Sequence, residues 1–203
     1  MNKNQNSITY VDLLFNLLIV FFLFFVIQII QEKKKSEIKN LKSKAEFMVT
    51  VEWPSDRPDD IDTYFEDPLG GLVHYKSKET PLVNLDRDDV GHRNDQITLP
   101  DGTMIDYKEN KEVVTIRSIV PGEYVVNIHM FGKEAKNKAP VPVTVTVEKL
   151  NPFKTIDSIT LLLENNGDRL TAVRFTVDAQ GEVTDVNRLD KNLIEIHNAG
   201  EIP

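Results

Sequence analysis

Two groups of carboxylates in this 203-residue sequence carry patterning that chemistry could use. The first is a single residue, Asp12, set about one helical turn inside the apolar run from Ile8 to Ile30. Asn16 follows four positions on and shares its helix face. A carboxylate at that depth in lipid costs about 1 to 3 kcal/mol unless it meets a partner, a water path or a proton. Asp12 therefore reads as a proton-binding carboxylate facing a second subunit; the plainer reading is an N-cap at the membrane interface, for which Ser7 and Thr9 are better placed. The second group lies in two acidic stretches, Asp59, Asp60 and Asp62, then Asp86, Asp88, Asp89 and Asp95. If the two met, roughly six hard oxygen ligands could hold Ca²⁺, with Asp60, Asp62, Asp86 and Asp88 as candidate metal ligands. The stretches lack EF-hand spacing, and solvated acidic turns are the alternative.

Other chemistries find little support. His74, His92, His129 and His197 are scattered without a ligand spacing such as HExxH. Cysteine is absent, which excludes disulfides, thiolate metal sites and cysteine nucleophiles. Serines and lysines form no nucleophile pattern, and Gly70-Gly71 is not a phosphate loop. An enzyme acting on a substrate is not expected. The net charge of −8 sits mainly after residue 50, which argues against a nucleic-acid partner.

The elements that must position these groups change character along the chain. Residues 1–7 form a short polar tail. Residues 8–31 predict a transmembrane helix whose apolar stretch over 8–30 reaches about 34 Å, uncleaved because the run is long and ends without a small-residue cleavage site. Residues 32–45, with six lysines against two glutamates, predict a helical stalk whose lysines meet water or lipid headgroups. From Glu46 the period becomes two: Phe47, Val49, Val51 and Trp53 alternate with Met48, Thr50 and Glu52. Further strands are expected over 61–66, 72–75, 113–119, 124–131 and 141–147, the last at a sheet edge because of Pro140 and Pro142. The fold expected is mainly β: helix and stalk, a β-sandwich over 46–150, and a small β module over 151–203. In that module Asn166-Gly167 would close a hairpin between strands 158–163 and 169–177. The core should contain Phe47, Val49, Val51, Trp53, Tyr124, Val126, Ile128, Val143, Val145 and Val147.

The segment Ile8-Thr9-Tyr10-Val11-Asp12-Leu13-Leu14 and its Leu/Ile/Phe continuation resembles the B-type subunits of proton-driven motors: flagellar MotB, the ExbD and TolR energisers, and ZorB of phage defence. The resemblance covers roughly the first thirty residues. It implies that Asp12 carries the ion, that Tyr10 and Asn16 support the pore face, and that a homodimer sits inside a ring of five multi-spanning MotA/ExbB/TolQ-like partners. It also implies an inner-membrane protein with its N-terminus cytoplasmic and its β domains outside. Lys33, Lys34, Lys35, Lys39, Lys42 and Lys44, set against Lys3, argue for the reverse orientation. Asn16 departs from the small or apolar residue usual in that family. Neither an OmpA-like peptidoglycan motif nor a small α/β domain follows. Trp53-Pro54, the stretch Asp60 to Gly70 and Pro121-Gly122-Glu123-Tyr124 resemble bacterial immunoglobulin-like or prepeptidase-type sandwiches, which implies a binding or spacer module. Two functions are therefore expected: an ion-driven motor subunit, or a membrane-anchored β-sandwich binding module in which Asp12 is incidental.

Overall fold

Valines at every second position from Val141 to Val147 give one strand a clean alternation of buried and half-exposed residues, and the same period builds most of the domain. The computed structural model describes residues 3–41, 45–93, 95–134, 136 and 138–195. They fall into two units, Met1–Leu41 and Lys42–Pro203. The first contains helix α1, Lys3–Leu41. It begins within the expected polar tail and continues into the lysine-rich segment; 42–44 lie outside the described residues, as does His197. By length and composition Tyr10–Gln31 is apolar enough to cross a membrane.

The second unit is mainly β. Its strands are β1 (Phe47–Glu52), β2 (Asp60–Glu66), β3 (Leu72–Val73), β4 (Val83–Arg87), β5 (Gln96–Thr98), β6 (Met104–Asp106), β7 (Lys111–Ile116), β8 (Gly122–Gly132), β9 (Val141–Leu150), β10 (Phe153–Leu163), β11 (Arg169–Val177) and β12 (Val183–Asn187). One sheet runs β10-β9-β1-β7-β4, a second runs β12-β11-β8-β2-β3, and β5-β6 form a separate hairpin. All of the core residues expected from the sequence are buried, in one cluster shared by the two sheets. Tyr124 stacks on Phe175 across 5.2 Å, and its hydroxyl donates to the Val120 carbonyl at 2.9 Å.

Three expectations are corrected. The strands of the expected 151–203 module do not stand apart, because β10 extends the first sheet beside β9 while β11 and β12 extend the second beside β8. The Asn166-Gly167 turn therefore joins strands in different sheets and closes no hairpin. Nor is β9 an edge strand, since it lies between β1 and β10. Pro142 is accommodated because β1 pairs with β9 only from Thr144 onward, so its missing N–H falls beyond that ladder.

The pairing of β2 matters most for function. β8 lies along its length on one side, but β3 on the other side reaches only Phe65 and Glu66. The first half of β2 thus has a free edge.

Candidate metal centre

That free edge is completed by a side chain. Glu112 comes from β7 of the opposite sheet, two positions before core residue Val114 and in the same strand phase. Its Oε2 accepts the Thr63 amide N–H at 2.7 Å, the bond a neighbouring strand would otherwise make. The residue is 1% exposed. Its second oxygen, Oε1, is buried with no hydrogen-bond donor.

Carboxylate oxygens of Asp62, Asp88 and Glu112 lie within 4.8 Å of one another. Asp62 belongs to β2, whereas Asp88 follows β4 and Glu112 belongs to β7, so the cluster bridges the two sheets. The Asp62 Oδ2 atom is also buried without a hydrogen bond; His129 Nδ1, from the residue opposite on β8, stands 3.8 Å away. Lys78 Nζ lies 2.8 Å from Asp88 Oδ2. Burial holds the Glu112 carboxyl well above the usual carboxylate range, and the charges of Asp62 and Asp88 push it further the same way, against the Thr63 hydrogen bond. Three carboxylates so placed need positive charge or a proton. Their hard oxygens suit Mg²⁺, Mn²⁺ or Ca²⁺ more than softer metals.

The loops that deliver these residues are pinned by their own polar contacts. Asn110 Nδ2 donates to the carbonyls of Pro54 and Arg57 at 2.7 and 2.6 Å, and Trp53 Nε1 donates to the Asp59 carbonyl at 3.0 Å. This fixes the approach to β2. After β4, Asp89 accepts the Gly91 N–H at 3.0 Å and receives Arg87 Nη2 at 3.0 Å. Gly91, at φ +63°, lies so close to the 58–59 backbone that a Cβ there would come within 2.5 Å of the Pro58 carbonyl oxygen. The two acidic stretches therefore meet backbone to backbone.

Of the four expected calcium ligands, Asp62 and Asp88 come together and the other two do not. Asp86 is held by both oxygens on Arg117 Nη2, each at 2.9 Å, and accepts the Thr115 hydroxyl at 2.6 Å. Asp60 is buried where β2 passes Gly132 and is not part of the cluster. Asp59 is also structural, binding Arg57 Nε at 2.7 Å and the Glu134 N–H at 3.0 Å. Glu112 takes the vacant role. Its signal was available in the sequence: an acidic residue in phase with buried Val114 and Ile116.

No family model matches the chain, and no curated protein matches it. Among solved structures it is similar to a protein of unknown function, at 15% identity and a TM-score of 0.47, covering 75% of this chain and 94% of that one. It is also similar to a homologue of the telluride resistance protein TerD from Streptomyces coelicolor A3(2), at 14% identity and a TM-score of 0.44, covering 79% of this chain and 100% of that one. These matches are not rotary-motor subunits, and the motor expectation is corrected. The physical reason is that the resemblance rested on a Leu/Ile/Phe-rich run whose composition any single-span helix shares. Tyr10, Asp12 and Asn16 all sit exposed on α1.

Proposed function

We propose that this chain is a divalent-cation-binding β-sandwich, that Asp62, Asp88 and Glu112 hold Ca²⁺, and that α1 tethers the domain to a membrane. The observation that carries the reading is a pair of buried, bare carboxylate oxygens, Glu112 Oε1 and Asp62 Oδ2, supplied by opposite sheets to one spot. Ca²⁺ binds oxygen at about 2.3 to 2.6 Å, so an ion among these atoms could reach all three even from opposite sides. Water would complete its shell. The bound ion would neutralise the charges that burial penalises and tie the two sheets together at the free edge of β2. The apolar run Tyr10–Gln31 supports the tether.

Full-length protein in detergent, stripped with EDTA and titrated with CaCl₂ in a calorimeter, tests the reading. Saturable binding is expected, with a melting temperature about 5 to 10 °C higher at a hundredfold excess over Kd. MgCl₂ should act more weakly, since Mg²⁺ demands a tighter octahedron. A titration without binding heat and a melting temperature unmoved by Ca²⁺ would remove the proposal.

A further inference from the structure

The cluster already holds one cation of its own. Lys78 lies in the connection between β3 and β4, and its backbone carbonyl accepts the Leu85 N–H at 2.8 Å, which fixes its backbone against β4. Its side chain is different: 53% exposed, it reaches the cluster with Nζ on Asp88 Oδ2. The ammonium is thus anchored at its base and free to swing into water at its tip. Asp88, half of whose carboxylate it covers, is the cluster's least buried member, with a side chain 13% exposed.

We infer that Lys78 is a tethered counterion that competes with the metal for Asp88 and so sets the affinity of the site. The inference rests on the cation-binding reading above. In the empty site the ammonium offsets part of the repulsion among the three carboxylates. An arriving ion must share Asp88 with the ammonium: it either takes Oδ2 from it or binds Oδ1 beside it, and both displacement and repulsion weaken binding. A lysine suits this role because its ammonium is a single mobile charge on a flexible stem, easily rehydrated when it leaves.

Calorimetric titration of full-length wild type, Lys78→Met and Lys78→Arg with CaCl₂ in detergent tests it. Removing the charge while keeping the stem should tighten Ca²⁺ binding about 3- to 10-fold at low salt, the size expected for one partly solvated charge near a divalent ion. The gap should shrink as NaCl is raised. Lys78→Arg keeps the charge and should stay within about twofold of wild type. If wild type binds Ca²⁺ and Lys78→Met binds it equally well or more weakly, the role of Lys78 is overturned and the metal centre stands. If none of the three proteins binds, the metal centre itself is overturned.

Discussion

Replacing Glu112 by Gln is expected to abolish the Ca²⁺-induced rise in melting temperature while leaving the metal-free protein at least as stable as wild type at neutral pH. The amide keeps an oxygen for the Thr63 N–H, so the free edge of β2 stays closed. What it removes is a charge that is costly in an empty site and indispensable in a filled one. Glu112→Ala separates the two roles, because it also strands the Thr63 N–H and should cost the metal-free protein about 1 to 3 kcal/mol. The pH profile adds a signed test. The folded-state pKa of Glu112 is raised above its ordinary 4.5, so its contribution to stability is fully present below 4.5 and is lost as pH rises through the folded value. In EDTA, wild type should therefore lose ground to Glu112→Gln from about pH 4.5 upward, by at most about 1.4 kcal/mol per pH unit. Melting curves from pH 4.5 to 8 with and without Ca²⁺ check both parts. A Glu112→Gln protein that still responds fully to Ca²⁺ would exclude Glu112 as a ligand.

The sandwich core was legible because alternation is local: Phe47, Val49, Val51 and Trp53 announce their buried face without reference to any other segment. Sheet membership was not. Asn166-Gly167 does make a tight turn, with Gly167 at φ +86° and the Asp168 N–H donating to the Asn165 carbonyl. Turn chemistry specifies only the chain reversal, whereas β9 and β8 decide where β10 and β11 pair. The β5–β6 hairpin around Pro100-Asp101-Gly102 is hard to read from sequence because its strands have three residues each. The metal centre divides the same way. Asp62 and Asp88 were readable as acids in two loops, but Asp86 is captured by Arg117, thirty-one positions away, which no spacing rule exposes. Glu112 is missed when the strand is begun at Val113, two residues after its start at Lys111; extending the phase of Val114 and Ile116 backward places an acid on the core face. The motor resemblance failed for the opposite reason. It drew on a low-complexity helix, where many sequences look alike.

Gly91→Ala should be the most damaging small substitution in the domain, and its damage should reach the metal site without touching a ligand. At φ +63° an alanine costs about 1 to 3 kcal/mol in backbone strain. Its Cβ would also fall 2.5 Å from the Pro58 carbonyl oxygen and 2.8 Å from that of Asp59, both backbone atoms that no side-chain rotation can move. The relief open to the chain is to draw the 88–91 segment away from the 58–59 segment. That separation pulls Asp88 from Asp62, because each stands within three residues of the contact. A total loss of about 2 to 5 kcal/mol is expected, with Ca²⁺ affinity falling at least tenfold in whatever fraction folds. Gly102→Ala is the matching control: it has φ +85° but nothing within 4 Å of its Cβ. It should pay the backbone strain alone and bind Ca²⁺ as wild type does. Thermal melts and CaCl₂ titrations of the two variants side by side decide the point. Equal Ca²⁺ affinities in both would mean that the backbone contact at Gly91 does not position the cluster.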